Sequence, residues 1–226
     1  NFLEPIREDL ITYLNNSRKI RNMHHKVHHM NSSQAMCLNL FFPLLRNEEL
    51  FIFTELIGLK KFNVSRAEFE KTMSIDEGTN FDFFLEDEFG NKVFVETKYT
   101  ENEFGKGNPK SHEIKRTTIY RDALCKIMDS EIVNSNFFYT YYQLFRNIYY
   151  LSNDIGNSHV CVVTTRRNKK IIEQYNHVAN HVHDEFKHWL HLVYIEDIVE
   201  QAIFRCCEDT KITMRAFKEK YLNIVA

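Results

Sequence analysis

The sequence predicts a single α/β domain on a mixed central β-sheet flanked by helices, and three observations carry that reading. Apolar residues recur at helical spacing through the first third of the chain. From Val64 the pattern changes to period two, in three short runs. Beyond residue 113, helical stretches alternate with two isolated apolar runs of strand length. A length of 226 residues suits one sizeable domain, and no repeat, low-complexity tract or linker composition divides it. The 43% hydrophobic content, with 19 Phe and 11 Tyr, is enough to bury a core, which excludes global disorder. Six Gly and three Pro are too few for a linker-rich or propeller architecture.

Taken in order, Ile6, Leu10, Ile11 and Leu14 read as a first helix that loosens near Asn15, Asn16 and Ser17. Asn31, Ser32 and Ser33 offer caps for a second, which runs to Pro43. Residues 48–59 form a third, closed at or just after Gly58. Strands follow at 64–73, 80–88 and 92–100, the last two joined by a hairpin turn at Phe89, Gly90 and Asn91. Helices are expected at 113–128 and 137–151, a buried strand at 159–165 and a polar helix at 168–188. A strand at 190–195 and further helices complete the chain.

Composition narrows the function classes. With 29 basic and 31 acidic residues the formal charge is −2, so any nucleic-acid site must be a local patch. Cys37, Cys125, Cys161, Cys206 and Cys207 are odd in number and lack a CxxC, which reads as reduced, mostly buried thiols of a cytoplasmic protein. No apolar run approaches the ~20 residues of a membrane span, and no signal peptide opens the chain, so no membrane partner is expected. The P-loop, GxSxG and GxGxxG patterns do not occur.

The chemistry concentrates in the hairpin. Asp82 interrupts an apolar run, Phe81 to Leu85, and Glu96 and Lys98, two apart, share one face of the next strand. A turn centred near residue 90 sets Asp82 and Glu96 roughly level, with 82 opposite 98 and 84 opposite 96. Two carboxylates and a lysine on an apolar surface need a partner or a metal, because desolvation disfavours each charge. Mg²⁺ suits carboxylate oxygens and phosphate substrates. The alternative is a cross-strand salt bridge of Lys98 on a solvated face.

Asp82 followed by Glu96, Thr97 and Lys98 on the next strand resembles the PD-(D/E)XK nuclease superfamily, the restriction-endonuclease-like fold. The helix, three strands, helix and strand from about 33 to 165 match its core, within a single domain 1–226 carrying an N-terminal helical extension. Phe81 stands where the nominal motif has Pro. The resemblance implies a Mg²⁺-dependent DNA endonuclease of restriction or defence type, with Mn²⁺ able to substitute. Asp82, Glu96 and the Thr97 carbonyl would be metal ligands, and Lys98 would position or activate the attacking water. It also implies an upstream acid, for which Glu70 is chosen ahead of Glu68 and Glu55. Glu68 and Glu70 share a strand face, so spacing does not separate them, and each also reads as a surface carboxylate.

On the helix at 137–151, Gln143, Arg146, Asn147 and Tyr150 form one polar stripe at i, i+3, i+4 and i+7. By the resemblance, Gln143 orders a water and Arg146 holds a phosphate; otherwise the stripe is a solvent face. Residues 98–126 carry seven Lys/Arg against four acids, and Arg166, Arg167, Lys169 and Lys170 follow a strand. Lys106, Lys110, Arg116, Arg166 and Arg167 are accordingly the expected contacts to the backbone of double-stranded DNA. Double-strand cleavage would suit a homodimer. The same fold kept as a catalytically silent nucleic-acid-binding or assembly module is the rival reading. Zinc binding by His24, His25, His28 and His29, which pair at i, i+4 but have no Cys or carboxylate at ligand spacing nearby, or by the group at His177, His181, His183, His188 and His191, which lacks the HExxH pattern, is a third.

Overall fold

The computed structural model describes residues 1–17, 19, 32–74 and 77–223. Helix α1 (Arg7–Asn16) buries Leu10 and Leu14, as its spacing requires. Helix α2 (Ser33–Arg46) starts at the expected cap, with Ser32 Oγ accepting the Ala35 N–H at 3.2 Å. It continues through Pro43 instead of stopping there. Every residue from Ala35 to Leu44 is buried, and that burial outweighs the roughly 3 kcal/mol cost of an interior proline. Helix α3 (Phe51–Leu56) is shorter than the predicted 48–59, because Glu48 holds a left-handed φ of 57° and cannot open a helix.

Strands β1 (Val64–Thr72), β2 (Asn80–Asp87) and β3 (Lys92–Lys98) form an antiparallel meander. The turn before β3 is pinned by Asp87, whose Oδ1 accepts the N–H groups of Phe89 (2.9 Å) and Asn91 (2.8 Å), while Gly90 supplies a φ of 83°. It centres the hairpin one residue earlier than predicted: Phe84 lies opposite Phe94, not Glu96. The chain then passes through α4 (Pro109–Lys115), a π-turn at Arg116–Tyr120, α5 (Arg121–Leu124), α6 (Ser130–Val133), α7 (Phe137–Thr140) and α8 (Tyr142–Asn153). Strand β4 (Ser158–Thr164), α9 (Lys169–Ala179), β5 (Leu190–Tyr194), α10 (Ile195–Arg205) and α11 (Glu208–Phe217) follow. The sheet order is β1-β2-β3-β4-β5, with β3, β4 and β5 parallel.

The helix expected at 137–151 is interrupted at Tyr141 for a definite reason. The Gly107 N–H donates to the Tyr139 carbonyl (2.8 Å) and the Gln143 N–H to the Gly105 carbonyl (3.0 Å). The 105–107 loop thereby takes the two groups that would otherwise have bonded each other across the helix break. A Cβ on Gly107 would sit 2.9 Å from Tyr142 Cγ, so only glycine allows this approach.

Two cores sandwich the sheet. Phe69, Phe83, Leu85, Val93, Val95, Cys161 and Val163 pack with α1, α2, α10 and α11; Phe84, Phe94, Val160 and Val162 pack with α8 and α9. All five cysteines are free; Cys37, Cys161 and Cys206 are buried, Cys125 is half-buried and Cys207 is exposed. Among the described residues no helix is long and apolar enough to cross a membrane.

His159 on β4 and His191 on β5 stack at 26°, with their Nδ1 and Nε2 atoms 3.0 Å apart. Burial first, with His188 nearby, pushes each down to about 4. The unfolded chain takes up these protons near pH 6.5 and the folded chain resists them. Stability is therefore complete above pH 6.5 and falls as the pH drops toward 4, by about 3 kcal/mol for each ring that resists protonation. Urea titrations between pH 7 and 4 should show this decline, and His191→Asn, which cannot titrate, should make it shallower, leaving the part due to His159.

Candidate active site

Three neighbouring strands each contribute a carboxylate at the same level. Phe69 and Lys71 pair with Phe83 and Phe81, which sets Glu70 beside Asp82. Phe83 pairs with Val95, so Asp82, one step on, is level with Glu96. At this level the sheet is irregular. Glu70 has a φ of 50°, in the left-handed region. The ladder between β2 and β3 ends at Phe83 and Val95. Past that rung, Asp82 Oδ2 accepts both the Thr97 N–H and the Thr97 hydroxyl, each at 2.6 Å. A strand residue's N–H and C=O point to the same edge, so the Thr97 carbonyl also faces the gap beside Asp82.

Glu96 and Lys98 lie on the face covered by α8 and are 4% and 7% exposed. Lys98 Nζ is 2.9 Å from Glu96 Oε1 and 2.9 Å from Gln143 Oε1. Gln143 Nε2 donates to Glu96 Oε1 at 2.8 Å, and Asn147 Nδ2 donates to Glu96 Oε2 at 3.3 Å. The salt bridge of the alternative sequence reading thus exists, but it is buried. The 99–107 segment covers it: Phe104 is fully buried with its ring centre 5.7 Å from Lys98 Nζ, and the Gly105 N–H donates to Gln143 Oε1 at 3.1 Å. Gln174 on α9 clips this segment, accepting the Phe104 N–H (3.0 Å) and donating to the Asn102 carbonyl (3.1 Å).

The electrostatics are those of crowded acids. Burial first, then the charges of Glu96 and Glu70, push the Asp82 carboxyl well above the ordinary range, against the bonds from Thr97. Burial also raises Glu70, although Gln34 Nε2 (2.7 Å) and Asn80 Nδ2 (2.6 Å) bond its carboxylate. Desolvation alone would lower Lys98; Glu96 and Asp82 outweigh it and raise the ammonium. Cys37 of α2, bonded to Thr97, is pushed up by burial and then by Asp82.

The donor set fits a hard divalent cation: all-oxygen ligands, a backbone carbonyl aimed at the gap, and an Asp82 Oδ1 that accepts no hydrogen bond from the described residues. The carboxylates are abreast but not converged, and among the described residues no group of three His, Cys, Asp or Glu side chains is disposed to hold a metal. Glu96 would have to turn from Lys98, and Glu70 from Gln34, to share a cation with Asp82.

The structure brings Asp82, Glu96, Thr97, Lys98, Gln143 and Glu70 together, and it separates the three candidate upstream acids. Glu68 bonds Arg66, Lys71 (3.0 Å) and Lys19 (3.5 Å), and Glu55 bonds Arg205 (2.7 Å). The left-handed turn at Glu70 breaks the alternation, so Lys71 reaches back to Glu68 while Glu70 faces Asn80 and Gln34.

Arg146, the expected phosphate contact, is turned toward Glu77 and keeps part of its side chain exposed. Its guanidinium bonds Glu77 Oε1 (3.3 Å), Thr79 Oγ1 (3.0 Å) and the Gly78 carbonyl (2.7 Å), and Tyr150 joins it on Glu77 at 2.8 Å. The polar stripe is therefore two i, i+4 pairs: Gln143 and Asn147 on Glu96, Arg146 and Tyr150 on Glu77.

The basic candidates divide in the same way. Arg116 forms a two-pronged bridge to Glu113 (2.8 and 2.7 Å), and Arg166 one to Asp197 (2.8 and 3.0 Å) with its guanidinium 4.4 Å from the Tyr194 ring centre. Arg116 is half-buried in its pair, whereas Arg166 stays about half exposed. Lys106 pairs with Glu103 at 2.6 Å on the surface, Lys110 is exposed in the first turn of α4, and Arg167 lines an open cavity of about 370 Å³ with Tyr99, Asn168 and Glu196.

The histidines at 24, 25, 28 and 29 lie outside the described residues. His181 bonds Asp129 at 2.9 Å and His177 meets the Tyr141 hydroxyl at 3.1 Å. Gln34, Asn80 and Phe104 were missed by sequence reasoning. Gln34 reaches Glu70 from 36 residues away, and Asn80 and Phe104 meet the site across a strand pair and a loop, so none of the three carried a periodic signal.

A mixed sheet whose antiparallel hairpin carries Asp82, Glu96 and Lys98, with helices on both faces, defines a restriction-endonuclease-like domain of the PD-(D/E)XK class. The family model described as Restriction Endonuclease associating with ARP matches residues 1–222, and the chain belongs to that family. No curated protein and no solved structure matches the chain.

Proposed function

We propose that this domain is a Mg²⁺-dependent nuclease that hydrolyses phosphodiester bonds in double-stranded DNA, with Mn²⁺ able to substitute. The observation that supports it is the level set of Glu70, Asp82 and Glu96 at the fork of β2 and β3, with Lys98 held against Glu96. Three acids crowded in this way destabilise one another, an arrangement favoured where a cation is to be held. Asp82, Glu96, the Thr97 carbonyl and Glu70 would hold the ion, which when bound supplies charge neutralisation at the phosphate and an acidified water.

The chain's own groups do the rest. Lys98 holds the attacking oxygen and stabilises charge gained by the phosphate. Gln143 orients Lys98 and Glu96 through its two ends, and Phe104 excludes bulk water. The exposed Lys106 and Lys110 are the backbone contacts, giving affinity without sequence choice. The family's description names an association with ARP, which makes such a protein the expected partner; pairing of two copies would supply two sites for two strands.

The burial of Glu96 and Lys98 beneath the 99–107 segment favours a second reading, a nucleic-acid-binding or assembly module that does not cleave. Supercoiled plasmid incubated with Mg²⁺, Mn²⁺ or EDTA separates the two. Nicking with either metal and none with EDTA is expected. Binding without nicking, with metal present at millimolar concentration, would select the module.

A further inference from the structure

Thr164 is the last residue of β4 and pairs directly with Lys98 on β3. Paired residues of neighbouring parallel strands project to one face, here the face of Glu96 and α8. Thr164 is fully buried, and its hydroxyl finds no hydrogen-bond partner among the described residues. Lys98 carries three N–H donors, and among the described residues two acceptors take them, Glu96 Oε1 and Gln143 Oε1. A buried hydroxyl without a partner and an ammonium with a donor to spare therefore stand side by side on one rung.

We infer that Thr164 is a positioning residue for Lys98, its hydroxyl being the acceptor that keeps the ammonium in place when Glu96 is engaged elsewhere. The inference rests on the nuclease reading of the site. Glu96 Oε1 already accepts from Lys98 and Gln143, and serving a cation would weaken its hold on Lys98. The Lys98 stem then has two fixed neighbours, Gln143 above and Thr164 beside it. Buried polar groups are rarely left unsatisfied, and Thr164 is 0% exposed.

The test uses the full chain with Thr164→Val, which keeps the shape and removes the hydroxyl, and Thr164→Ser, which restores it. The Lys98 ammonium signal in ¹⁵N spectra, identified by its loss in Lys98→Met, is followed with and without Mg²⁺ alone. With Mg²⁺ present, Thr164→Val should speed proton exchange at that ammonium and lower kcat about three- to tenfold at unchanged KM. Thr164→Ser should restore both. An unchanged ammonium signal together with a raised Tm in Thr164→Val would overturn the inference, since it would show a hydroxyl that is merely buried. If the parent protein cleaves no DNA with any metal, the nuclease reading fails; the ammonium spectra still decide the Thr164 contact.

Discussion

Asp82→Asn is expected to abolish cleavage and at the same time to raise the melting temperature. Asparagine keeps an oxygen for the Thr97 N–H and hydroxyl, so the end of the β2–β3 ladder stays in place. It removes a carboxylate of the proposed metal site, and a metal contribution of several kcal/mol corresponds to a loss of about a thousandfold or more in kcat/KM. Stability moves the other way because burial and two neighbouring carboxylates disfavour the ionised form of Asp82. A carboxyl raised in the folded state makes the fold most stable when protonated, and stability is lost as the pH rises through the raised value. The Asn variant does not suffer that loss, so its advantage over the parent should grow with pH and vanish in acid. Calorimetric scans across pH, with cleavage measured on the same proteins, check both halves. Mg²⁺ should raise the Tm of the parent but not of the variant. A variant that cuts at the parental rate would show that the metal site lies elsewhere.

Glu77→Ala should be the most destabilising change in this part of the fold. Glu77 is 5% exposed and accepts bonds from Thr79 through both N–H (2.8 Å) and hydroxyl (2.6 Å), from Tyr120 and Tyr150, and from Arg146. These bonds hold its carboxyl below the ordinary range in spite of burial. Truncation leaves two tyrosine hydroxyls and a guanidinium without their acceptor, at about 1–3 kcal/mol for each buried group. A loss of about 3–5 kcal/mol corresponds to roughly 6–20 °C in a domain of this size. Arg146→Ala should lower the Tm by less, since that side chain is 22% exposed, and should leave DNA affinity and its salt dependence unchanged. Gln143→Ala, in contrast, should lower turnover with little change in Tm. If Arg146→Ala weakens DNA binding in proportion to a lost phosphate contact, its assignment to the Glu77 cluster is wrong.

That contrast shows how far local pattern reaches. The hairpin was legible because alternation and a turn signal are local properties: Val93 and Val95 had to share one face, and Glu96 and Lys98 the other. The Gln143 stripe was legible for the same reason, since helical spacing marks which residues lie together. Spacing names neighbours on one element, however, and not the element they meet. Gln143 and Arg146 are three residues apart, yet they serve carboxylates on different segments, Glu96 of β3 and Glu77 of the β1–β2 connection.

The sequence by itself determined the mixed sheet, the antiparallel hairpin and the set of Asp82, Glu96 and Lys98, all through periodicities that short-range sterics enforce. Tertiary structure alone decided which upstream acid lies level with Asp82. Glu68 and Glu70 are equivalent in period two until a single left-handed φ at Glu70 breaks the alternation, and Gln34 and Asn80, 36 and 10 residues away, hold it there. It likewise decided the closure of Lys98 under Phe104 and the pairing of Arg146 with Glu77 and of Arg166 with Asp197. A charge patch counts lysines and arginines, but which of them meets a carboxylate from 31 or 69 residues away in the chain is a long-range contact with no local signature.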